Sequence, residues 1–140
     1  MKIDIQNIPQ VALGFMNSDH KAFVDIFNTL ADLLAQSSRE RHEVSALLEQ
    51  LLEHSREHFA REEQQMIQFS FPAYSCHKSE HEQVLVEMEK ELDAWRAAGD
   101  VQWLNDYLEQ LPEWLAGHIA SMDTVTANYI SQMGGPVELA

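Results

Sequence analysis

The sequence predicts an all-α protein, an up-down-up-down antiparallel four-helix bundle with an extended N-terminal arm. Three observations carry this reading. Its 140 residues are the size of one domain with one core. Apolar residues recur at spacings of three and four through four long segments. Serine, glycine and proline punctuate the junctions between those segments, and short junctions join antiparallel neighbours.

Residues 1–16 contain Pro9 and Gly14 and alternate apolar and polar residues only loosely, which predicts an arm lying across the bundle. Asn17 and Ser18 are the capping candidates for the first helix. Its core stripe runs through His20, Phe23, Phe27, Leu30 and Leu34 to about residue 36. Ser37 or Ser38 caps the second helix, residues 39–68, which holds no Gly or Pro. Its stripe passes from Val44, Leu48 and Leu52 into Ser55, His58, Phe59, Glu62 and Met66. Ser70-Phe71-Pro72 ends it, because the residue before a proline avoids the helical region.

The third helix, residues 73–98, follows Tyr74, His77, His81, Leu85, Met88, Leu92 and Trp95, and Gly99 is placed to end it. The fourth starts after Asp100 and follows Tyr107, Leu108, Leu111, Leu115, His118, Met122 and Val125, with Pro112 expected to kink or split it. Gly134-Gly135-Pro136 terminates it. The organisation is thus an arm (1–16), a four-helix domain (17–131) and a C-terminal tail (132–140).

With 45% hydrophobic and 23% charged residues, composition indicates neither disorder nor a membrane protein. Nine basic against 23 acidic residues give a net charge of −14, which disfavours nucleic acid and anionic membranes as partners. No secretory apolar run or bilayer-length stretch is present, and the single Cys76 forms no internal disulfide. These features predict a cytoplasmic protein.

Leaving an imidazole or carboxylate unpartnered in a core costs several kcal/mol. Here His20, His58, Glu62, His77, His81, His118 and Asp123 fall on four helices, most of them continuing a core stripe. His58 and Glu62 are four apart, as are His77 and His81, so each pair reaches one point from one helix. His118 and Asp123 are five apart, which turns Asp123 toward the edge of its stripe. Five imidazoles and two carboxylates are too many for one tetrahedral zinc, and calcium or magnesium would require oxygen ligands. Two iron ions sharing the carboxylates account for all seven, and carboxylate-bridged di-iron sites are built in bundle cores. The same donors suit manganese. So few anionic ligands favour reversible binding over stabilisation of high-valent iron.

With these four pieces in order, His early in the first helix, His-x-x-x-Glu in the second, His-x-x-x-His in the third and His-x-x-x-x-Asp in the fourth, the chain resembles the single-domain bacterial hemerythrins of the HHE family from about residue 17 to residue 129. The resemblance implies that His77, His81 and His118 bind one iron, that His20 and His58 bind the other, and that Glu62 and Asp123 bridge the two beside an oxo or hydroxo group. It implies O2 binding at the iron with two imidazoles, as a hydroperoxide and without O–O cleavage, for storage, delivery or sensing, in a protein with no turnover of its own. The expected partners are O2 and an oxygen-using enzyme or a reductase, and the expected state is a monomer. The alternative is a di-iron enzyme consuming peroxide or nitric oxide, or an iron-donating repair protein.

Phe23, Phe59, Trp114, Leu115 and Ile119 adjoin the ligands in sequence and are the expected dry O2 pocket. His54 stands one turn before His58, where the family often has Tyr, and is expected behind the ligands as a hydrogen-bond donor, with ligation or proton relay as the competing role. The Asp and Gln usual before the family's first ligand read here as Asn17 and Asp19, a departure that leaves the ligands intact.

Overall fold

A computed structural model describes residues 1–135. Four long helical legs form the bundle. The first three are α1 (Gly14–Ala35), α2 (Arg41–Gln68) and α3 (Tyr74–Ala98). The fourth is broken into α4 (Val101–Leu108), α5 (Leu111–His118), a π-helical turn (Ile119–Asp123) and α6 (Thr124–Gln132). Among the described residues there is no strand, and no helix is long and apolar enough to cross a membrane.

Two apolar clusters lie at opposite ends of the polar residues picked out above. The larger takes Phe23 to Leu34 from α1, Val44 to Phe59 from α2, Val84 to Trp95 from α3 and Leu104 to Ile119 from the fourth leg. The smaller holds Leu13, Phe15, Met16, Met66, Phe71, Ala127 and Ile130. α1 therefore runs from the small cluster to the large one, α2 returns, α3 goes out again and the fourth leg returns, which is the up-down-up-down order. A fully buried side chain such as Phe27 or Leu30 contributes roughly 1.5–3 kcal/mol. Such contacts fix the register that brings the polar layer together.

α1 begins at Gly14, earlier than the sequence suggests, so the arm ends at Leu13 rather than residue 16. Burial of Phe15 and Met16 decides this, since most helical stability comes from packing rather than from a cap. Asn17 does not cap the helix. Its amide clips the arm instead, accepting from Val11 N at 2.9 Å and donating to Val11 O at 3.0 Å. Asn28 holds Ile3 in the same two-point fashion, at 2.7 and 2.8 Å.

α2 starts at Arg41 after Glu40, with no side-chain cap from Ser37 or Ser38. A tertiary tie decides its start, because Trp95 Nε1 donates to Arg41 O at 3.1 Å. The chain leaves α2 through Ser70, which has a positive φ of 53°, and Phe71 N reaches back to Met66 O at 2.8 Å. Gly99 ends α3 at φ 62°, where a Cβ would lie 2.6 Å from the Arg41 guanidinium. Asp100 caps α4 through Trp103 N, and Pro112 opens α5, so the proline splits the fourth leg. Of the expected C-terminal tail, residues 136–140 lie outside the described residues.

Candidate metal centre

α1 contributes His20, α2 His58 and Glu62, α3 His77 and His81, α5 ends on His118, and the π-helical turn ends on Asp123. All seven are buried. The i,i+4 pairs stack on single helix faces, as the spacing requires. The five-residue spacing from His118 to Asp123 is accommodated differently. In a π turn the backbone bonds run from i to i+5, so residues five apart share a face. Asp123 thus points inward, not toward the edge of its stripe.

The donor atoms form two groups with both carboxylates in common. One is Glu62, His77, His81, His118 and Asp123; the other is His20, His58, Glu62 and Asp123; within each group the atoms lie within 4.8 Å of one another. Glu62 Oε2 is 2.7 Å from His58 Nε2, while its Oε1 is 3.3 Å from His81 Nε2 and 3.5 Å from His77 Nε2. Asp123 Oδ2 is 2.9 Å from His20 Nε2, while its Oδ1 is 3.0 Å from His77 Nε2 and 3.1 Å from His118 Nε2. Each carboxylate turns one oxygen toward each imidazole group.

The outward nitrogens explain why the rings face this way. His58 Nδ1 donates to Asp19 Oδ2 at 2.8 Å, His81 Nδ1 to Glu63 Oε2 at 2.9 Å, and His118 Nδ1 to Glu80 Oε1 at 2.8 Å. His77 Nδ1 lies 2.8 Å from Thr126 Oγ1, and the Thr126 side chain is fully buried. A carboxylate only accepts, so the bonds to Asp19, Glu63 and Glu80 put a proton on Nδ1 of His58, His81 and His118 and turn inward the Nε2 that would bind a metal once unprotonated. His20 Nδ1 has no partner.

The inner atoms fit a metal better than they fit one another. His58 Nε2, His81 Nε2, both oxygens of Glu62 and Asp123 Oδ1 are buried without a properly oriented hydrogen bond. Each such atom costs roughly 1–3 kcal/mol, more where charged. Inward imidazole nitrogens and shared carboxylates are the donor set of a first-row transition metal, and no thiolate is present, since Cys76 is exposed and off this face.

Charge within the layer is strongly coupled. Burial alone would push the Glu62 carboxyl up, but the charge of His58 holds it down at about 2. Burial would lower His58, yet the Glu62 charge and the bond to Asp19 raise it to about 10. His118 is raised and Asp123 lowered in the same sense, each against burial. The Asp19 carboxyl is lowered too, with His58 and Arg61 outweighing burial.

The five expected pocket residues are distributed unevenly. Phe59 lies parallel to His81 at 3.9 Å between centroids, and half-buried Trp114 stacks on His118 at 4.8 Å. Both therefore cover the group with three imidazoles, although Phe59 also meets His58 at 5.7 Å. Phe23 stacks on Phe27, and Leu115 and Ile119 belong to the large cluster. His54 is in neither donor group. It donates from Nε2 to Asp19 O at 2.9 Å, and its ring is parallel to that of His58 at 6.3 Å.

Asp19, Arg61, Glu63, Glu80 and Thr126 are absent from the sequence-based site. A signal existed: Asp19, Glu63 and Glu80 each adjoin a ligand candidate, and Thr126 follows Asp123 by three. They sit among surface acids, which reads as an ordinary solvated face.

Residues 11–130 match the family model described as the hemerythrin HHE cation binding domain. The chain is 29% identical to a bacteriohemerythrin of Aquifex aeolicus over 131 residues, covering 93% of this chain and 98% of that protein. It is 33% identical to a bacteriohemerythrin of Ralstonia nicotianae, covering 84% and 81%. A crystal structure of wild-type hemerythrin superposes with a TM-score of 0.78 at 23% identity, covering 94% of this chain and 98% of that one.

Proposed function

The chain belongs to the hemerythrin HHE family, and from that premise we propose that it is a non-haem di-iron protein that binds O2 reversibly. The observation that carries this is the division of Glu62 and Asp123, one oxygen each toward either imidazole group. In this reading His77, His81 and His118 would hold one iron and His20 and His58 the other, with Glu62 and Asp123 placed to serve both. Three imidazoles would face one ion and two the other, so the His20 and His58 side offers fewer protein donors.

Iron bound here supplies a redox-active pair able to take up O2. The residues of the chain do the rest. The Nδ1 bonds to Asp19, Glu63 and Glu80 hold three imidazoles in one tautomer and orientation, and the contact with Thr126 orients His77. The large and small apolar clusters close the layer above and below, which excludes water and bulk protons. Among the described residues the only buried titratable side chains are the seven candidate ligands, which favours binding over turnover. The protein would serve as a cytoplasmic, monomeric store or carrier for an oxygen-using enzyme, or be re-reduced by a reductase.

Metal analysis of the purified protein, with absorption spectra over repeated oxygenation and deoxygenation, tests this reading. Two iron ions per chain and a spectrum that returns over many cycles are expected. Irreversible oxidation within one cycle, or rapid consumption of peroxide or nitric oxide with a reductant, would favour the enzymatic alternative.

A further inference from the structure

The outer partners of the two imidazole groups carry different charge. On the three-imidazole side, Glu63 takes the His81 proton and Glu80 takes the His118 proton. Among the described residues neither carboxylate is within ion-pair distance of a lysine or arginine, although the exposed Lys78 ammonium lies near enough to Glu63 to feel its charge. On the two-imidazole side, Asp19 Oδ2 takes the His58 proton at 2.8 Å and also accepts from Arg61 Nε at 3.0 Å and Arg61 Nη2 at 2.8 Å. One oxygen serves three donors, two of them from a cation that cannot be deprotonated. The other imidazole on this side, His20, has no outer partner at all.

A carboxylate behind a ligating histidine makes the ring a stronger donor, and loss of such a partner typically costs 10–100-fold in metal affinity. A guanidinium on the same oxygen draws its charge away and weakens that push. We propose that Arg61 is a positioning and tuning residue that acts through Asp19, keeping His58 a weaker donor than His81 or His118. The His20 and His58 half then holds its metal less tightly and favours the more reduced state, making the two halves of the centre inequivalent before any ligand arrives. This deepens the di-iron reading and rests on it. Asp19, where the family usually has Gln, thereby gains a reason to be paired with an arginine.

Arg61→Gln, Asp19→Asn and Arg61→Lys separate tuning from simple bracing. Iron(II) is titrated anaerobically into the metal-free protein against a competing chelator, and the midpoint potential is measured by spectroelectrochemistry. Arg61→Gln leaves the carboxylate uncompensated, so the weaker site should bind more tightly and the potential should fall. Asp19→Asn keeps the cation and removes the anion, so affinity should drop by about 10–100-fold and the potential should rise. Arg61→Lys keeps the charge and should stay near the parent on both readings. If Arg61 were only a strut, Arg61→Gln would weaken binding as Asp19→Asn does, and that result, or no movement in either variant, overturns the proposal. Parent protein that takes up no pair of ions overturns the di-iron reading and this proposal with it; normal uptake with shifts of one sign overturns the tuning role alone.

Discussion

His118 Nε2 and Asp123 Oδ1 lie 3.1 Å apart although five residues separate them, because the intervening backbone forms a π-helical turn. A π turn amounts to one extra residue in an α-helix and is less favourable than the helix it interrupts. It persists here with His118, Ile119 and Asp123 buried and Ala120 and Ser121 exposed. Deleting Ala120 should relax the segment to α-helix, with His118 and Asp123 then four apart and still on one face. Two metals per chain and an unchanged or higher Tm are expected. Inserting an alanine after Ala120 should swing Asp123 out and cost most of the metal. The idea fails if the deletion loses metal as completely as the insertion.

That turn marks the boundary of what the sequence makes legible. The i,i+4 pairs need only helical periodicity, and periodicity is written in the stripes of α2 and α3. A five-residue spacing has two physical solutions, a displaced side chain or an altered backbone, and residue types do not choose between them. The outer partners were hidden for a different reason. Glu63 and Glu80 lie among other acids and Asp19 reads as an ordinary polar helix position, so only the rotation of each helix decides which acid faces an imidazole. The start of α1 was misplaced because Asn17 suits a cap in isolation, while Phe15 and Met16 need burial that only the folded bundle provides.

Metal uptake should release protons and tighten as pH rises. In the metal-free layer His58 is raised from 6.5 to about 10, so its stabilisation is fully present below pH 6.5 and lost as pH climbs through about 10. Glu62 is lowered from 4.5 to about 2, so its share is present above pH 4.5 and lost as pH falls through about 2. The metal-free fold is held best by this pair between pH 4.5 and 6.5. A metal must displace the proton that His58 carries on Nε2 beside the Glu62 carboxylate. Calorimetric titrations in buffers of different ionisation enthalpy should show net proton release at neutral pH, and equal affinity at about pH 6 and about pH 9 would refute it.

His54 bonds to Asp19 and lies outside both donor groups, so it is expected to support the candidate centre rather than to bind metal. Its Nε2–H bond to the Asp19 carbonyl is one ordinary hydrogen bond, and its ring packs parallel to His58. Replacing His54 by Phe keeps the ring and removes the bond, which should cost about 1 kcal/mol in chemical denaturation. Metal content should stay at two per chain. A loss of one ion would mean that His54 is a ligand after all.

Thr126 is the most economical probe of the three-imidazole side, because it is the sole neutral partner among the four outer contacts and is fully buried. Thr126→Val preserves shape and removes the hydroxyl. The Nδ1–H of His77 is then left in an apolar wall, which should cost roughly 1–3 kcal/mol. With its ring no longer oriented, His77 should bind metal more weakly, by about 10–100-fold by analogy with other outer-partner losses. Thr126→Ser retains the oxygen and should recover most of the affinity despite the missing methyl. Competition titrations on the three proteins give the answer, and a valine variant that holds iron as tightly as its parent would show that packing alone orients His77.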